Sequence, residues 1–456
     1  MPLNLLHNKF GVALVTSLLS LPLVAWACFT ADRAEVLAVE HPDLDFASLA
    51  HQMHMQQTID YRFNGPRDCV EGFADQFPCQ GIGLAGWVEL PAIGGGTGSD
   101  NWGWRDPDSG RLFALMGRSN GVAFVEVTVP ESPVYLGNLP RPAGVSNSVW
   151  TDIKTYGHHA FIVADSVMGQ GMQVFDLRNL LASEERPPQT FAAVTRYDQF
   201  NSAHNIAINT ESGFAYTVGG DTCAGGLHMI DVRDPENPSF AGCFASEGYT
   251  HDVQCVIYRG PDERYQGNEI CFASNETSLD VVDVTDKEAP RLIGRHSYPQ
   301  FRYTHQGWLT EDHRYFFLDD ELDETTYNLP GTRTLVFDFA QLDVSDPPAE
   351  YIADGPAIDH NQYVIGDYVF QANYKRGLRV LHIKDPATAN LEEVAWFDTY
   401  PNEDGNGFSG AWNVFPFFAN NLLLVSDFNR GLFIVRVSDP NLAMALESIY
   451  GDRFAP

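Results

Sequence analysis

A unit of about fifty residues recurs along this chain, and that recurrence limits the fold more than any other feature. Apolar, β-rich segments run into an acidic, usually Pro-containing turn at 225–238 (GGLHMIDVRDPENP), 278–290 (SLDVVDVTDKEAP), 377–386 (GLRVLHIKDP) and 431–440 (GLFIVRVSDP), with weaker copies at 121–133, 171–179 and 334–347. The equivalent positions are Glu126, Asp176, Asp231, Asp283, Asp338, His382 and Arg436, spaced 50, 55, 52, 55, 44 and 54 residues apart. A second marker precedes each copy: Trp104, Asp152, His204, His251, His305, His360 and Trp412, spaced 48, 52, 47, 54, 55 and 52. Two independent markers therefore count the same seven units.

Each unit reads strand, turn, strand, turn, strand, turn, strand. In the third, HNIAIN is followed by TESG, FAYTVGG, GLHMIDV, RDPENP and SFAGCFA. These strands are rich in β-branched and aromatic residues and bounded by Gly, Asn, Asp and Pro. No 3.6-residue periodicity is sustained between Asn101 and Pro440. Four strands in about fifty residues make a propeller blade. The predicted fold is all-β, a seven-bladed β-propeller of four-stranded blades, preceded by a short disulfide-stapled segment. One blade cannot cover its own faces; stacking buries them and ring closure removes the free ends. The 456 residues are thus one ring rather than two or three domains.

The expected divisions are a signal peptide at 1–27, an N-terminal segment at 28–100, the propeller at 101–440 and a tail at 441–456. Residues 1–27 carry Lys9, an apolar run from Val12 to Ala25 and an Ala-Trp-Ala cleavage site, which directs the chain out of the cytoplasm. The run is shorter than a spanning helix. Cys28 becomes the first mature residue, the position lipidated in bacterial lipoproteins, although Trp26 departs from that pattern. A membrane partner is expected only through a lipidated Cys28. Segment 28–100 holds Cys69, Cys79 and the linker PAIGGGTGSD, and reads as a cap or a strand donor. Setting Cys28 aside leaves six cysteines, an even number in an exported chain. Spacing alone permits fifteen pairings; the simplest are the local ones, Cys69–Cys79, Cys223–Cys243 and Cys255–Cys271.

With 28 Lys+Arg against 60 Asp+Glu, the formal charge is −32. Such a field repels a phosphate backbone, so nucleic acid is excluded as a partner. Aromatics at 12% exclude a disordered acidic tail.

Long blocks, among them YTHDVQCVIYRGPDERYQGNEICFASNE, YTHQGWLTEDHRYF, DHNQYVIGDYVFQANYKRGLRVL and SDFNRGLFIVR, resemble the choice-of-anchor B family of exported bacterial proteins, built from LVIVD-type repeats. The resemblance spans roughly Asp68 to Val437. It implies a β-propeller outside the cytoplasm, held by differing anchors, and implies no particular reaction.

Propeller geometry gathers the starts of the inner strands at one mouth of the channel. Asp152, His204, His251, His305 and His360 are therefore the candidate ligand or metal residues. The ends of the second strands approach the same face, so Asp165, Asp221, Asp252, Glu276 and Asp319 are candidate supporting groups, Asp252 because it directly follows His251. Imidazole suits a transition metal and carboxylates suit Ca²⁺, so the expected cofactor is a divalent cation of either kind. The bland alternative is hydrogen bonding between blades. The acidic run LDDELDET (318–325) reads as a solvated loop rather than a Ca²⁺ loop. Lys375, Arg376, Arg430 and Arg118 sit in matching turns, read as ion-pair partners. Trp102, Trp104, Trp308 and Trp412 are candidates for an aromatic platform, with packing as the alternative. No nucleophile elbow, phosphate loop or dinucleotide fingerprint occurs.

The expected function is a monomeric, exported or surface-associated module that binds a protein, peptide or small molecule. The alternative is a metal-dependent hydrolase of the lactonase or esterase type, with Asp252 or Glu276 as base.

Overall fold

The computed structural model describes residues 63, 65–182 and 188–453. The expected signal peptide and Cys28 lie outside them. The described residues form seven sheets. The inner strands of the seven blades are Gly98–Arg105, Thr151–Tyr156, Asn205–Asn209, Asp252–Ile257, Thr304–Leu309, Gln362–Ile365 and Ala411–Phe415. Each contacts the next, and the seventh contacts the first, so the ring is closed. The fold is the predicted seven-bladed propeller of four-stranded blades.

Burial within a blade explains the sequence pattern. The second strands, such as Leu112–Arg118 and Glu269–Ser274, are buried at every position because neighbouring blades cover both faces. The outer strands, such as Arg291–His296, are largely exposed. The repeated acids at the ends of third strands have a local task. One carboxylate oxygen of Asp176, Asp231, Asp283 and Asp338 accepts the N–H two residues later, the Asx turn that makes Asp a turn residue.

The ring closes with a strand from ahead of the repeats. Ile82–Val88 pairs antiparallel with Gly431–Val437 as the outer strand of the seventh blade. The stretch 82–88, within the segment ahead of the repeats that reads as a cap or a strand donor, thus gives a strand to the ring. It is Gly-rich, and Gly86 sits at a bulge in that pairing where a Cβ would meet the Pro130 carbonyl at 2.2 Å. Two further strands, Phe73–Ala74 and Phe77–Gln80, extend the sixth blade. The expected tail is a helix, Pro440–Arg453, which buries Leu442 and Leu446 in the core shared by the sixth and seventh blades. No helix among the described residues is long and apolar enough to cross a membrane.

All three local disulfides are present: Cys69–Cys79, Cys223–Cys243 and Cys255–Cys271. Cys255 and Cys271 face each other across adjacent strands of the fourth blade. These bridges are consistent with an exported chain.

Candidate metal centre

The four histidines come together at the starts of consecutive inner strands. His204, His251, His305 and His360 are 4%, 1%, 0% and 3% exposed. Their rings follow one another at centroid spacings of 4.5, 4.1 and 4.5 Å. Trp412 continues the arc at 4.5 Å from His360, and Trp150 begins it at 6.2 Å from His204.

Trp150, not Asp152, thus holds the second blade's place beside the histidines. Asp152 lies two residues further along its strand, and its carboxylate accepts the Ile206 N–H of the next blade at 2.6 Å. The same device recurs between other inner strands. Asp100 accepts from Ile153 N–H, Gln254 from Leu309 N–H and Gln306 from Gln362 N–H. Asn205 and Asn413 donate to the His251 and Asn101 carbonyls. These polar residues zip blade to blade, each satisfying a main-chain group that the channel wall would otherwise bury unpaired.

Two of the histidines have their tautomer fixed by a main-chain acceptor. His251 Nδ1 donates to the His305 carbonyl at 2.9 Å, and His360 Nδ1 to the Trp412 carbonyl at 2.6 Å. A carbonyl only accepts, so Nδ1 carries the proton and Nε2 is a bare lone pair. Both Nε2 atoms are buried with no hydrogen-bond partner. Burial holds His360 down at about 3. Burial and the His204 ring hold His251 well below the usual histidine range. His305 is lowered by burial and by its imidazole neighbours. These three rings are neutral at physiological pH.

Carboxylates hold the other two rings. Asp165 meets His204 Nδ1 at 2.9 Å and Asp319 meets His305 Nδ1 at 3.1 Å, the carboxylate–histidine pairing that orients imidazole ligands. Both acids are the supporting groups expected from the second strands. Asp221 does not reach the ring; it is exposed and binds Asn201. Glu276 is buried, and its main chain pairs with Thr304.

Glu321, in the Asp319-Asp320-Glu321 strand end expected at this mouth, stands between two of the rings. Its Oε2 lies 3.9 Å from His305 Nε2 and its Oε1 3.8 Å from His360 Nε2. The Tyr374 hydroxyl donates to Oε1 at 2.6 Å. One ligand atom from each of His305, Glu321 and His360 falls within 4.8 Å of the others, and all three residues are buried. A tetrahedral ion about 2.1 Å from each would hold its ligand atoms about 3.4 Å apart, closer than the spacing here, so the three side chains would draw in around it. A second trio, His159, Asp176 and Glu236, is more exposed, and Asp176 is already engaged by Arg178.

The acidic run is not the solvated loop that was expected. Asp319, Asp320, Glu321, Asp323 and Glu324 are all 0% exposed, and Asp359 is 1% exposed. Arg333 pairs with Asp323 at 2.6 Å, and Asp320 accepts from Tyr298 and from the Arg302 and Tyr303 N–H groups. Burial, followed by the Asp359 charge, pushes Asp319 and Glu324 well up; burial and Asp323 do the same to Asp359. Both oxygens of Asp359 and one of Asp319 have no hydrogen-bond partner. Buried carboxyls pushed toward their neutral form beside neutral imidazoles are groups that a cation at the mouth would hold ionised.

The other end of the channel is different in character. A cavity of about 580 Å³ is lined from all seven inner strands. Its aromatic wall includes Trp102, Trp308, Tyr363 and Phe417. Two of the four tryptophans expected to form a platform meet here. Trp104 packs on Phe113 in the core, and Trp412 stays at the histidine mouth. Asp252 lines this cavity and not the metal trio. Of the turn cations, Lys375 pairs with Glu403 at 2.7 Å, while Arg118 and Arg430 donate to main-chain carbonyls.

No family model matches the chain, and no curated protein sequence matches it. Solved structures are similar to it in a coarse sense of shape. The β-propeller domain of Myceliophteria thermophila Cps50 (Swd1) is 12% identical, with 78% of this chain and 99% of that one covered at a TM-score of 0.48. Kuenenia stuttgartiensis hydrazine synthase is 11% identical, covering 73% and 93% at 0.48. A functionally unknown protein from Desulfotomaculum acetoxidans is 12% identical, covering 65% and 88% at 0.43. At these values the similarities carry no functional argument, and the class rests on the closed seven-sheet ring itself: a β-propeller.

Proposed function

We propose that this chain is an exported or surface-associated propeller of the choice-of-anchor B type, a binding module whose histidine-lined mouth holds a divalent transition metal between His305, Glu321 and His360. The observation that carries the metal reading is the convergence of two imidazole Nε2 atoms and one carboxylate within 4.8 Å in a buried site, with the His360 tautomer fixed by the Trp412 carbonyl. Two imidazoles and a carboxylate form a nitrogen and oxygen set that suits zinc and its neighbours better than Ca²⁺. Three protein ligands leave a fourth position for a ligand group. Asp319 and Trp412 act by orienting rings and touch no bound group. The signal segment, the disulfides and the repeat blocks support the extracytoplasmic assignment. The hydrolytic alternative draws no support from Asp252, which belongs to the opposite cavity.

Cobalt substitution tests the reading. Titrating the untagged, chelator-treated chain with Co²⁺ is expected to give visible d–d bands that saturate at one equivalent. Glu321→Gln is expected to weaken binding by more than about tenfold. Folded protein that shows no bands at saturating Co²⁺ would refute the site.

A further inference from the structure

The cavity at the channel end opposite the histidines has no part in the metal proposal, and its chemistry is specific. Its volume, about 580 Å³, is in the range of small-molecule sites. Trp308 stacks edge-on to Tyr363 at 5.0 Å, Tyr363 to Phe417 at 5.4 Å, and Trp102 lies 5.7 Å from Phe417. These rings hold one another in place, so the wall is preformed. Trp102, Trp308 and Phe417 are only partly buried, which leaves part of their surface to the cavity.

The polar groups divide into a closed set and an open one. Lys154 Nζ lies 2.6 Å from Asp152 and 3.3 Å from Asp100, and 4.6 Å from the Trp102 ring centre. Burial raises Asp100 against the pull of Lys154; at Asp152 burial is outweighed by the Lys154 charge together with the hydrogen bonds its carboxylate makes, so that acid is lowered. Lys154 is thus engaged by both carboxylates of the Asp100–Asp152 pair. Gln254 and Gln306 spend their oxygens on the next blade. Asp252 stands apart. Among the described residues its carboxylate accepts one hydrogen bond, from the Val253 N–H, and makes no ion pair; burial, then the Asp152 charge, pushes it up to about 7, and a cation beside it would hold it ionised.

From this we infer that the cavity binds a small organic ammonium ion with an apolar or aromatic body, its charge on Asp252 and its body on the Trp102–Trp308–Phe417 wall. Ring faces carry negative potential and attract cations. The uncompensated carboxylate adds to this, and the only cation in the lining is already neutralised. An anion would meet Asp252 with no free partner. A neutral ligand would gain the wall and forgo the charge. The net charge of −32 steers cations toward the molecule as a whole.

The test uses the full chain and three probes of matched shape: 2-phenylethylammonium, 2-phenylethanol and 3-phenylpropanoate, followed by calorimetry and tryptophan fluorescence. The ammonium is expected to bind at least about tenfold more tightly than either other probe, with affinity falling as salt is raised. Asp252→Asn is expected to erase that preference, and Trp308→Ala to weaken all binding. Equal or tighter binding of the alcohol or the carboxylate by the unaltered chain overturns the inference, as does the absence of saturable binding by all three. These comparisons on the unaltered chain decide the matter even where a variant fails to fold. Loss of metal binding at the other mouth leaves this inference standing.

Discussion

Trp87 is the residue on which ring closure can be tested with a single substitution. It lies on Ile82–Val88, the strand that completes the seventh blade from ahead of the repeats. Its ring is 6% exposed, stacked on Phe433 at 5.2 Å and edge-on to Phe77 at 5.5 Å. Its Nε1 donates to the Arg430 carbonyl at 3.0 Å. Trp87→Ala removes these contacts and leaves a void that the surrounding strands cannot fill. Buried aromatic truncations cost about 3–5 kcal/mol, and the hydrogen bond to the Arg430 carbonyl is lost with the ring. The measurement is urea unfolding followed by far-UV circular dichroism, with Phe73→Ala as control. Phe73 is 54% exposed, and its truncation is expected to cost less than about 0.5 kcal/mol. If Trp87→Ala costs no more than the control, the strand from ahead of the repeats does not close the ring, and the account of the fold's stability is wrong.

Other outcomes follow from the same structure. Non-reducing peptide mapping should find Cys255 linked to Cys271, and replacing both by Ala should cost about 2–4 kcal/mol; free thiols there would contradict the pairing. Asp398 is pushed up to about 6 by burial. Between its ordinary value near 4 and 6, the folded state holds a proton that the unfolded state has released. This contribution to stability is therefore complete below about pH 4 and lost as pH rises through 6, worth about 3 kcal/mol. Asp398→Asn should flatten that part of the stability profile and raise stability at pH 8, and an unchanged profile would remove Asp398 as its cause. Asp319→Asn should leave the fold intact yet weaken metal binding by about tenfold, since its carboxylate orients His305; unaltered affinity would deny it that role.

Much of this architecture was written in local pattern. A strand followed by an acidic turn is legible because each piece acts within ten residues, and the Asx turns at Asp231 and Asp283 show why the acid recurs. The histidine marker was legible because inner strands start alike. The sequence could not show where each strand begins to within two residues, so spacing alone aligned Asp152 with the histidines when Trp150 stands there. It could not show burial that depends on distant partners. The run from Asp319 to Glu324 looks solvated until Arg333, Tyr298 and Tyr374 are brought against it from elsewhere in the ring. Glu321 is legible as part of the second-strand end Asp319-Asp320-Glu321, but its reach to two rings depends on the neighbouring blades. The closing strand was left open because GIGLAGWV lacks the β-branched signature, its glycines being needed for close approach.

The central claim is that the histidine mouth is a metal centre, and metal content measures it most directly. The untagged chain, exposed to equimolar Zn²⁺ and dialysed, should carry one equivalent by elemental mass spectrometry. His305→Ala/His360→Ala should carry none while keeping its circular dichroism spectrum. A folded, unaltered chain that returns from dialysis without metal would contradict the account.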